Sequence, residues 1–389
     1  MQGANTDPGL EQIAASFQLP QNEPYIRYAV TVDWGLLSIY LIVLVVSLAY
    51  TTKRSPNRAN NVVIVIPSVA NEKVRDSLFM ALSHNRFLGV PIYVVIDEGA
   101  PLEGELKKLK WLNLVVVPKN YRRDLVGKGR ALRYFVEKYV KPDTWYVFLD
   151  DDNLVLTDDF LYEIPYYERR GYVAFNPILM PRKGRSYMAF IMDFARLIDD
   201  LSFFRFFTGL LKRPYVGLHG ELLGVKGSFL LESNAFNEPT KVEDYLLATK
   251  IVKMGGLTWQ SRTRVSILSP NSVRDLIRQR ARWHSGILES LRAAPLKMQV
   301  ATVAKSFLRT IGLIGLWVLI PITHSLATLL IIAPTSAGYW FIYLYGAKKA
   351  GKLRYIFTVP AFWIIEGFGF VYGIIKMRSG EFMIIDKNL

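Results

Sequence analysis

Cysteine is absent from the 389 residues, which excludes disulfides, thiolate metal sites and a cysteine nucleophile. Histidine is scarce. His84, His219, His284 and His324 are the four present, and no two stand at metal-ligand spacing, which argues against zinc. The chain lacks a Gly-x-Ser-x-Gly elbow and a complete Walker loop ending in Lys-Ser or Lys-Thr, so neither chemistry is indicated. No internal repeat or low-complexity linker interrupts it. Residues 1–28 are polar, without the basic start and early apolar core of a secretory signal. Acidic residues are the minority, 33 against 48 Lys plus Arg, for a formal charge of +15. Such a balance suits nucleic acid, anionic lipid or small anionic ligands such as nucleotides. The 51% hydrophobic content points to membrane segments and favours the last two.

The most informative stretch is Trp145-Tyr-Val-Phe-Leu-Asp-Asp-Asp-Asn153. An apolar run ends abruptly in Asp150, Asp151 and Asp152. Continuous apolar runs read as buried parallel strands, and ligands sit beyond the carboxyl ends of such strands. Three adjacent carboxylates repel one another, and Mg2+ or Mn2+ would relieve that repulsion. The competing reading is a solvated acidic turn.

The surrounding pattern predicts strands at Val62–Ile66, Ile92–Ile96, Leu114–Val117 and Tyr146–Leu149, with helices at 72–86 and 127–139. Strands separated by helices argue for an α/β fold with a doubly wound, parallel sheet. The apolar run Trp34–Tyr50, extended by Ala29–Val32, is long enough to span a membrane. Lys53, Arg54 and Arg58 follow it and place the next domain in the cytoplasm by the positive-inside rule. Residues 186–213 mix aromatic and basic groups; a membrane-surface segment and a helix buried against the sheet both fit. Ser269–Ser272 opens a basic amphipathic helix reaching about Leu291. Apolar stretches at about 307–322, 326–346 and 356–375 follow. The expected organisation is therefore an extracytoplasmic segment (1–28), a transmembrane helix (29–50), a cytoplasmic domain (51–268), interface helices (269–304), two or three membrane segments (305–376) and a tail (377–389).

Four groups would converge on one crevice. They are Asp150–Asp152; Asp97-Glu98, closing another strand; Gly127-Lys128-Gly129-Arg130, a basic turn suited to phosphate; and Glu243-Asp244, ahead of a helical stretch. Each also has a structural reading: Glu243-Asp244, for instance, complements a helix dipole. Together they suggest a metal–diphosphate site, with a separate carboxylate to deprotonate an incoming hydroxyl.

In order, Asp150-Asp151-Asp152, Glu243-Asp244 and Gln279-Arg280-Ala281-Arg282-Trp283 resemble the motifs of membrane-integrated family 2 glycosyltransferases, the group with hyaluronan, cellulose and chitin synthases. The likeness covers roughly residues 60–290. Gly224–Phe229, Val242–Asp244, Gly255-Gly256, Arg278–Trp283 and Gly286 look closest to egghead-type β-1,4-mannosyltransferases. The resemblance implies a GT-A-like, mostly parallel sheet with flanking transmembrane helices. It implies a catalytic domain on the cytoplasmic face of the cell membrane and an Mn2+ or Mg2+ cofactor. The donor would be GDP-mannose or a UDP-sugar, and the acceptor a glycan or lipid-linked molecule; nucleic acid is not among the expected partners. Asp152, with Asp150, would bind the metal. Pro67, Glu72, Asp97, Glu98, Lys128, Asp150 and Asp151 would contact the nucleotide. Asp244 would be the general base beside Glu243. Gln279, Arg280, Arg282 and Trp283 would form a lip over diphosphate and acceptor, as bidentate guanidinium and an indole face allow. The sequence departs from the family at Pro67-Ser-Val-Ala-Asn71-Glu72, where one extra residue separates the proline from the glutamate. Two rivals remain: transfer to a polyprenyl phosphate, which needs no base, and a non-catalytic basic scaffold.

Overall fold

The structure is a computed structural model that describes residues 28, 39–125, 127–308, 310 and 340–376. Much of the first apolar run, the stretches at 311–339 and the tail at 377–389 lie outside the described residues.

Eight strands, β1 (Val62–Pro67), β2 (Ile92–Asp97), β3 (Asn113–Val117), β4 (Trp145–Phe148), β5 (Leu154–Val155), β6 (Tyr172–Arg182), β7 (Leu223–Lys226) and β8 (Leu257–Leu268), form one sheet. Its order is β3-β2-β1-β4-β7-β6-β8-β5. The four anticipated strands are β1 to β4, mutually parallel. Their apolar runs are continuous because both faces are covered. Ile64, Ile66, Val94 and Val147 enter one core, while Val65, Val95, Tyr146 and Phe148 enter another. The sheet is α/β and mostly parallel as expected, with antiparallel members that the strand–helix alternation alone did not indicate. β7 inserts antiparallel between β4 and β6, and β5 lies antiparallel to β8. With β6 and β8 parallel, the sheet is mixed but mostly parallel. β6 and β8 escape a pattern reading for physical reasons. Pro177 and Pro181 interrupt β6, and prolines ordinarily demote a strand. β8 carries a polar centre, Gln260 to Arg264, part of which is met by Glu163: its carboxylate accepts from Arg262 N (3.0 Å) and Trp259 Nε1 (3.1 Å). Burial pushes the Glu163 carboxyl up to about 7.

Helices α1 (Arg75–Asn85), α2 (Gly129–Tyr139) and α3 (Asp159–Glu168) accompany the strands. Of the two readings of residues 186–213, the structure adopts the buried one. α4 (Tyr187–Asp193), a short helix at Ala195–Asp199 and a π-helical run at Asp200–Leu210 pack Phe190, Phe194, Phe203 and Phe204 into a third core. That core also contains Tyr40, Tyr343, Phe362 and Trp363, joining the sheet domain to the C-terminal helices.

α5 (Glu243–Lys253) begins at the acidic pair. α6 (Val273–Leu291) starts where Ser272 Oγ accepts from Asp275 N at 3.0 Å, a side-chain N-cap. α6 lies along α7 (Val359–Lys376). A Cβ at Gly369 would fall 2.7 Å from Arg280 Cβ, and one at Gly373 would fall 2.9 Å from Ala281 O. The Gly-x-x-x-Gly face of α7 thus lets the two backbones close together, as small residues do between membrane helices. Among the described residues, Leu353–Lys376 is the stretch long and apolar enough to cross a membrane.

Candidate active site

Strand order reverses at β1/β4, so the crevice opens beyond their carboxyl ends. A cavity of about 450 Å³ begins there. Its floor carries Pro67, Ser68, Asp97, Lys128, Asp150 and Asp151; Glu221, Glu243 and Asp244 form one wall; Gln279, Arg280, Arg282 and Trp283 face it from α6. It continues to Ser306, Tyr343, Trp363 and Glu366 on the C-terminal helices. Three motifs far apart in sequence therefore share one space.

Three expected nucleotide or metal contacts are placed elsewhere. Asp152 is fully buried. After β4 the chain makes a tight turn, in which Asn153 N donates to Asp150 O (3.1 Å) and Asp150 N donates to Asn153 Oδ1 (3.0 Å). This turn presents Asp150 and Asp151 and folds Asp152 beneath the floor. There its carboxylate accepts from Asn153 Nδ2 (3.1 Å) and its carbonyl from Arg182 Nη2 (2.8 Å). Glu72 is exposed at the start of a 3-10 turn outside the cavity. The extra residue is taken up by Ala70, at φ 44°, and by Ser68 Oγ, which accepts from Ala70 N (3.1 Å); this loop swings Glu72 outward. Glu98 turns away and accepts from Lys119 N at 3.0 Å. Asp97 stays at the rim, 2.9 Å from Arg130 Nη1.

Lys128 is the electrostatic centre. Its Nζ lies 2.7 Å from Asp150 Oδ1 and 3.0 Å from Glu243 Oε1. Burial opposes its charge, but Asp150, Glu243 and Asp244 overcome that and hold the ammonium well above its ordinary value. Gly220 makes room for it: a Cβ there would sit 2.7 Å from Nζ. Asp244 is pushed up to about 7, first by burial and then by the like charge of Glu243, with Lys128 pulling the other way. A carboxylate with that value is poised to exchange a proton near neutrality.

Sequence reasoning missed further polar residues lining the cavity: Ser68, Arg196, His219 and Glu221. Arg196 Nη2 donates to Glu221 Oε1 at 2.6 Å, and despite burial this partner keeps Glu221 well below the usual carboxylate range. His219 Nε2 lies 2.6 Å from Asp200 Oδ1. Ser68 Oγ donates to Asp151 at 2.6 Å. Two guanidiniums stand over the Trp283 ring, Arg196 at 4.9 Å and Arg280 at 4.6 Å from the ring centre. Arg280, expected at the diphosphate, is largely committed within the protein. It donates to Asp193 (2.9 Å), Gln279 (2.9 Å) and both oxygens of Glu366 (3.2 Å). One signal was legible: Glu366 is an acid inside an apolar, membrane-length stretch, where ionisable groups mark function or pairing.

Among the described residues no three acidic or histidine side chains are grouped to hold a metal by themselves. The donor chemistry nonetheless fits Mg2+ or Mn2+. Asp150 and Asp151 present hard oxygens to the cavity, and such ions commonly take one or two carboxylates with the remainder from substrate phosphates and water.

The chain matches the profile of glycosyl transferase family group 2 over residues 145–368, more than half its length, and belongs to that family. It is a family 2 glycosyltransferase. No curated protein sequence matches it. In fold it is similar to the mannosyltransferase PcManGT from Pyrobaculum calidifontis, whose structure is in complex with GDP-Man and Mn2+. The two share 16% identity at a TM-score of 0.57, over 92% of this chain and 99% of that one. A more distant match is TarS 1–349 of S. aureus in complex with UDP-GlcNAc, at 11% identity and a TM-score of 0.38, over 82% and 92%.

Proposed function

We propose that this enzyme is an inverting, metal-dependent transferase that moves a hexose from a nucleoside diphosphate sugar to a hydroxyl of a glycan or lipid-linked acceptor. It would work at the cytoplasmic face of the cell membrane. The observation that carries the reading is the position of Asp244. It shares one cavity with Lys128, Asp150 and Asp151 on the donor side and with the α6 motif on the other. GDP-mannose is the favoured donor, since the fold neighbour of near-complete coverage was solved with it; a UDP-sugar is the alternative.

In this reading the nucleoside lies over the carboxyl ends of β1 and β2, between Pro67 and Asp97. Lys128 and Arg282 neutralise the diphosphate. Asp244 accepts the proton of the acceptor hydroxyl while that oxygen forms its bond to the anomeric carbon from the opposite side. The bond from the anomeric carbon to the diphosphate oxygen breaks, and the diphosphate leaves with the electron pair. Asp150 and Asp151 would hold the cation, which supplies charge neutralisation to the departing group when bound. Trp283, fixed by its two guanidiniums, offers an edge and a ring N–H to the acceptor sugar. The continuation of the cavity to Tyr343, Trp363 and Glu366, beside a helix of membrane-crossing length, favours an acceptor whose sugar is presented from the bilayer.

The test is a panel of GDP- and UDP-sugars offered to purified protein with Mn2+, with Mg2+ and with chelator. Metal-dependent release of nucleoside diphosphate from one donor is expected. Metal-independent turnover, or no turnover with any donor, would overturn the proposal.

A further inference from the structure

Away from the cavity, two basic segments separated by more than 160 residues meet around one ring. Lys183 Nζ, on the loop after β6, lies 4.0 Å from the centre of the Tyr187 ring, and Lys352 Nζ lies 5.3 Å from it. Lys349 Nζ sits 5.5 Å from the Tyr345 ring and the Arg354 guanidinium 5.9 Å from the Tyr355 ring. Lys183, Lys348, Lys349 and Arg354 are exposed and Lys352 partly so. Among the described residues, no carboxylate is in ion-pair contact with any of these five. Exposed cations grouped this way without carboxylates raise a local positive potential that attracts anions. The phenol of Tyr187 records the local field: Lys183, first by a hydrogen bond and then by its charge, and more weakly Lys352, hold it below its ordinary value.

Apolar surface lies against the same patch. Phe357 is 84% exposed and Leu353 55%, on the 3-10 turn Leu353–Thr358 that leads into α7. Large exposed apolar side chains alternating with unpaired cations, at the start of a membrane-length helix, match the chemistry of a headgroup boundary, where phosphates meet acyl chains. Nucleic acid would satisfy the cations but leave Leu353 and Phe357 in water.

We infer that the patch formed by Lys183, Tyr187, Lys349, Lys352 and Arg354 binds the phosphate of anionic phospholipid headgroups, docking the β6–α4 loop of the catalytic domain onto the bilayer. This rests on the membrane reading of the proposed function. The docked loop follows Arg182, the last residue of β6, whose Nη2 donates to the Asp152 carbonyl.

The experiment reconstitutes the full chain into phosphatidylcholine vesicles containing trace spin-labelled phosphatidylglycerol or phosphatidylcholine. The protein-associated fraction of each is measured by electron spin resonance. Phosphatidylglycerol should be selected several-fold over phosphatidylcholine. Each Lys or Arg near an anionic surface contributes about 1 kcal/mol, or roughly fivefold. The quadruple variant Lys183→Gln, Lys349→Gln, Lys352→Gln, Arg354→Gln should therefore bring the ratio close to one while circular dichroism and melting stay unchanged. A ratio of one in the unaltered protein, or an unchanged ratio in the variant, overturns the inference. Displacement by millimolar inorganic phosphate would assign the patch to soluble anions and overturn it equally. Failure to incorporate into neutral vesicles would instead overturn the membrane reading, which the phosphatidylcholine arm reports separately.

Discussion

Arg280 and Glu366 are joined across two helices, with Arg280 Nε 3.2 Å from each oxygen of the Glu366 carboxylate. The arginine belongs to the motif helix α6 and the acid to the apolar helix α7, so one ion pair ties the reaction cavity to the C-terminal segment. The same guanidinium supports the face of Trp283.

Glu366→Ala should cost about 1.5–3 kcal/mol, the range for hydrogen bonds to charged groups, because Arg280 would keep only Asp193 and Gln279 as buried partners. Thermal melting measures it. Donor affinity should change by less than threefold, since Arg280 is engaged by Asp193, Gln279 and Glu366. A large change in donor affinity in either direction would show that the Arg280–Glu366 pair acts on the donor site.

Asp244→Asn should lower transfer by about 10²–10⁴-fold, the usual contribution of a general base, with donor affinity measured by calorimetry almost unchanged. In the unaltered enzyme, transfer should rise with pH and level off above about 7, where burial and Glu243 have placed the Asp244 carboxyl. Retained activity in the asparagine variant would favour an acceptor that is already an anionic phosphate.

The same group makes a prediction about stability. Its carboxyl titrates near 7 in the fold against 3.8 when free, so the native state holds the proton more tightly than the unfolded chain. Its contribution to stability is therefore greatest below about pH 4 and is lost as pH rises towards 7. Asp244→Asn should raise the melting temperature above pH 7 and leave it little changed at pH 4. Equal shifts at both values would contradict the elevated native value.

Lys128→Met removes the cation between Asp150 and Glu243. Because Lys128 pulls Asp244 downward, the midpoint of the pH–rate profile should move to higher pH. Donor binding should weaken about tenfold or more, as expected when a charge-assisted contact to phosphate is lost. A midpoint that stays in place would mean the ammonium does not act on Asp244.

Chelation should abolish donor binding. Asp150→Ala and Asp151→Ala should each lower Mn2+-dependent binding of the nucleoside diphosphate at least tenfold by calorimetry. Asp152→Ala should instead reveal itself without donor or metal, as a lower melting temperature, because it removes a buried acceptor from Asn153. An unchanged melting temperature would mean the turn after β4 does not depend on it.

Much of the sheet and the chemistry of the site were legible from local pattern. β1 to β4 are continuous apolar runs, and such runs survive averaging along the chain because both faces are buried. Asp150, Asp151, Glu243, Asp244, Gln279 and Trp283 stood out as carboxylate, amide and aromatic groups placed at element ends. β6 and β8 did not: prolines interrupt β6, whose Leu179 N donates to Asp200 (2.7 Å), and the polar centre of β8 is met by Glu163, both carboxylates lying outside these strands. Ser68, Arg196, His219 and Glu221 are unremarkable as residues; their roles exist only through neighbours that the fold supplies.

The strands β1 to β4 with the helices α1 and α2, the acidic strand end and the family motifs follow from the sequence alone, since each depends on residues close together along the chain. Which carboxylates face the cavity was decided by tertiary structure. A single turn after β4 turns Asp152 under and Asp151 out, and one additional residue before Glu72 carries that acid into solvent. Local composition specifies what a side chain can do, whereas the closure of turns and the packing of distant helices determine where it points.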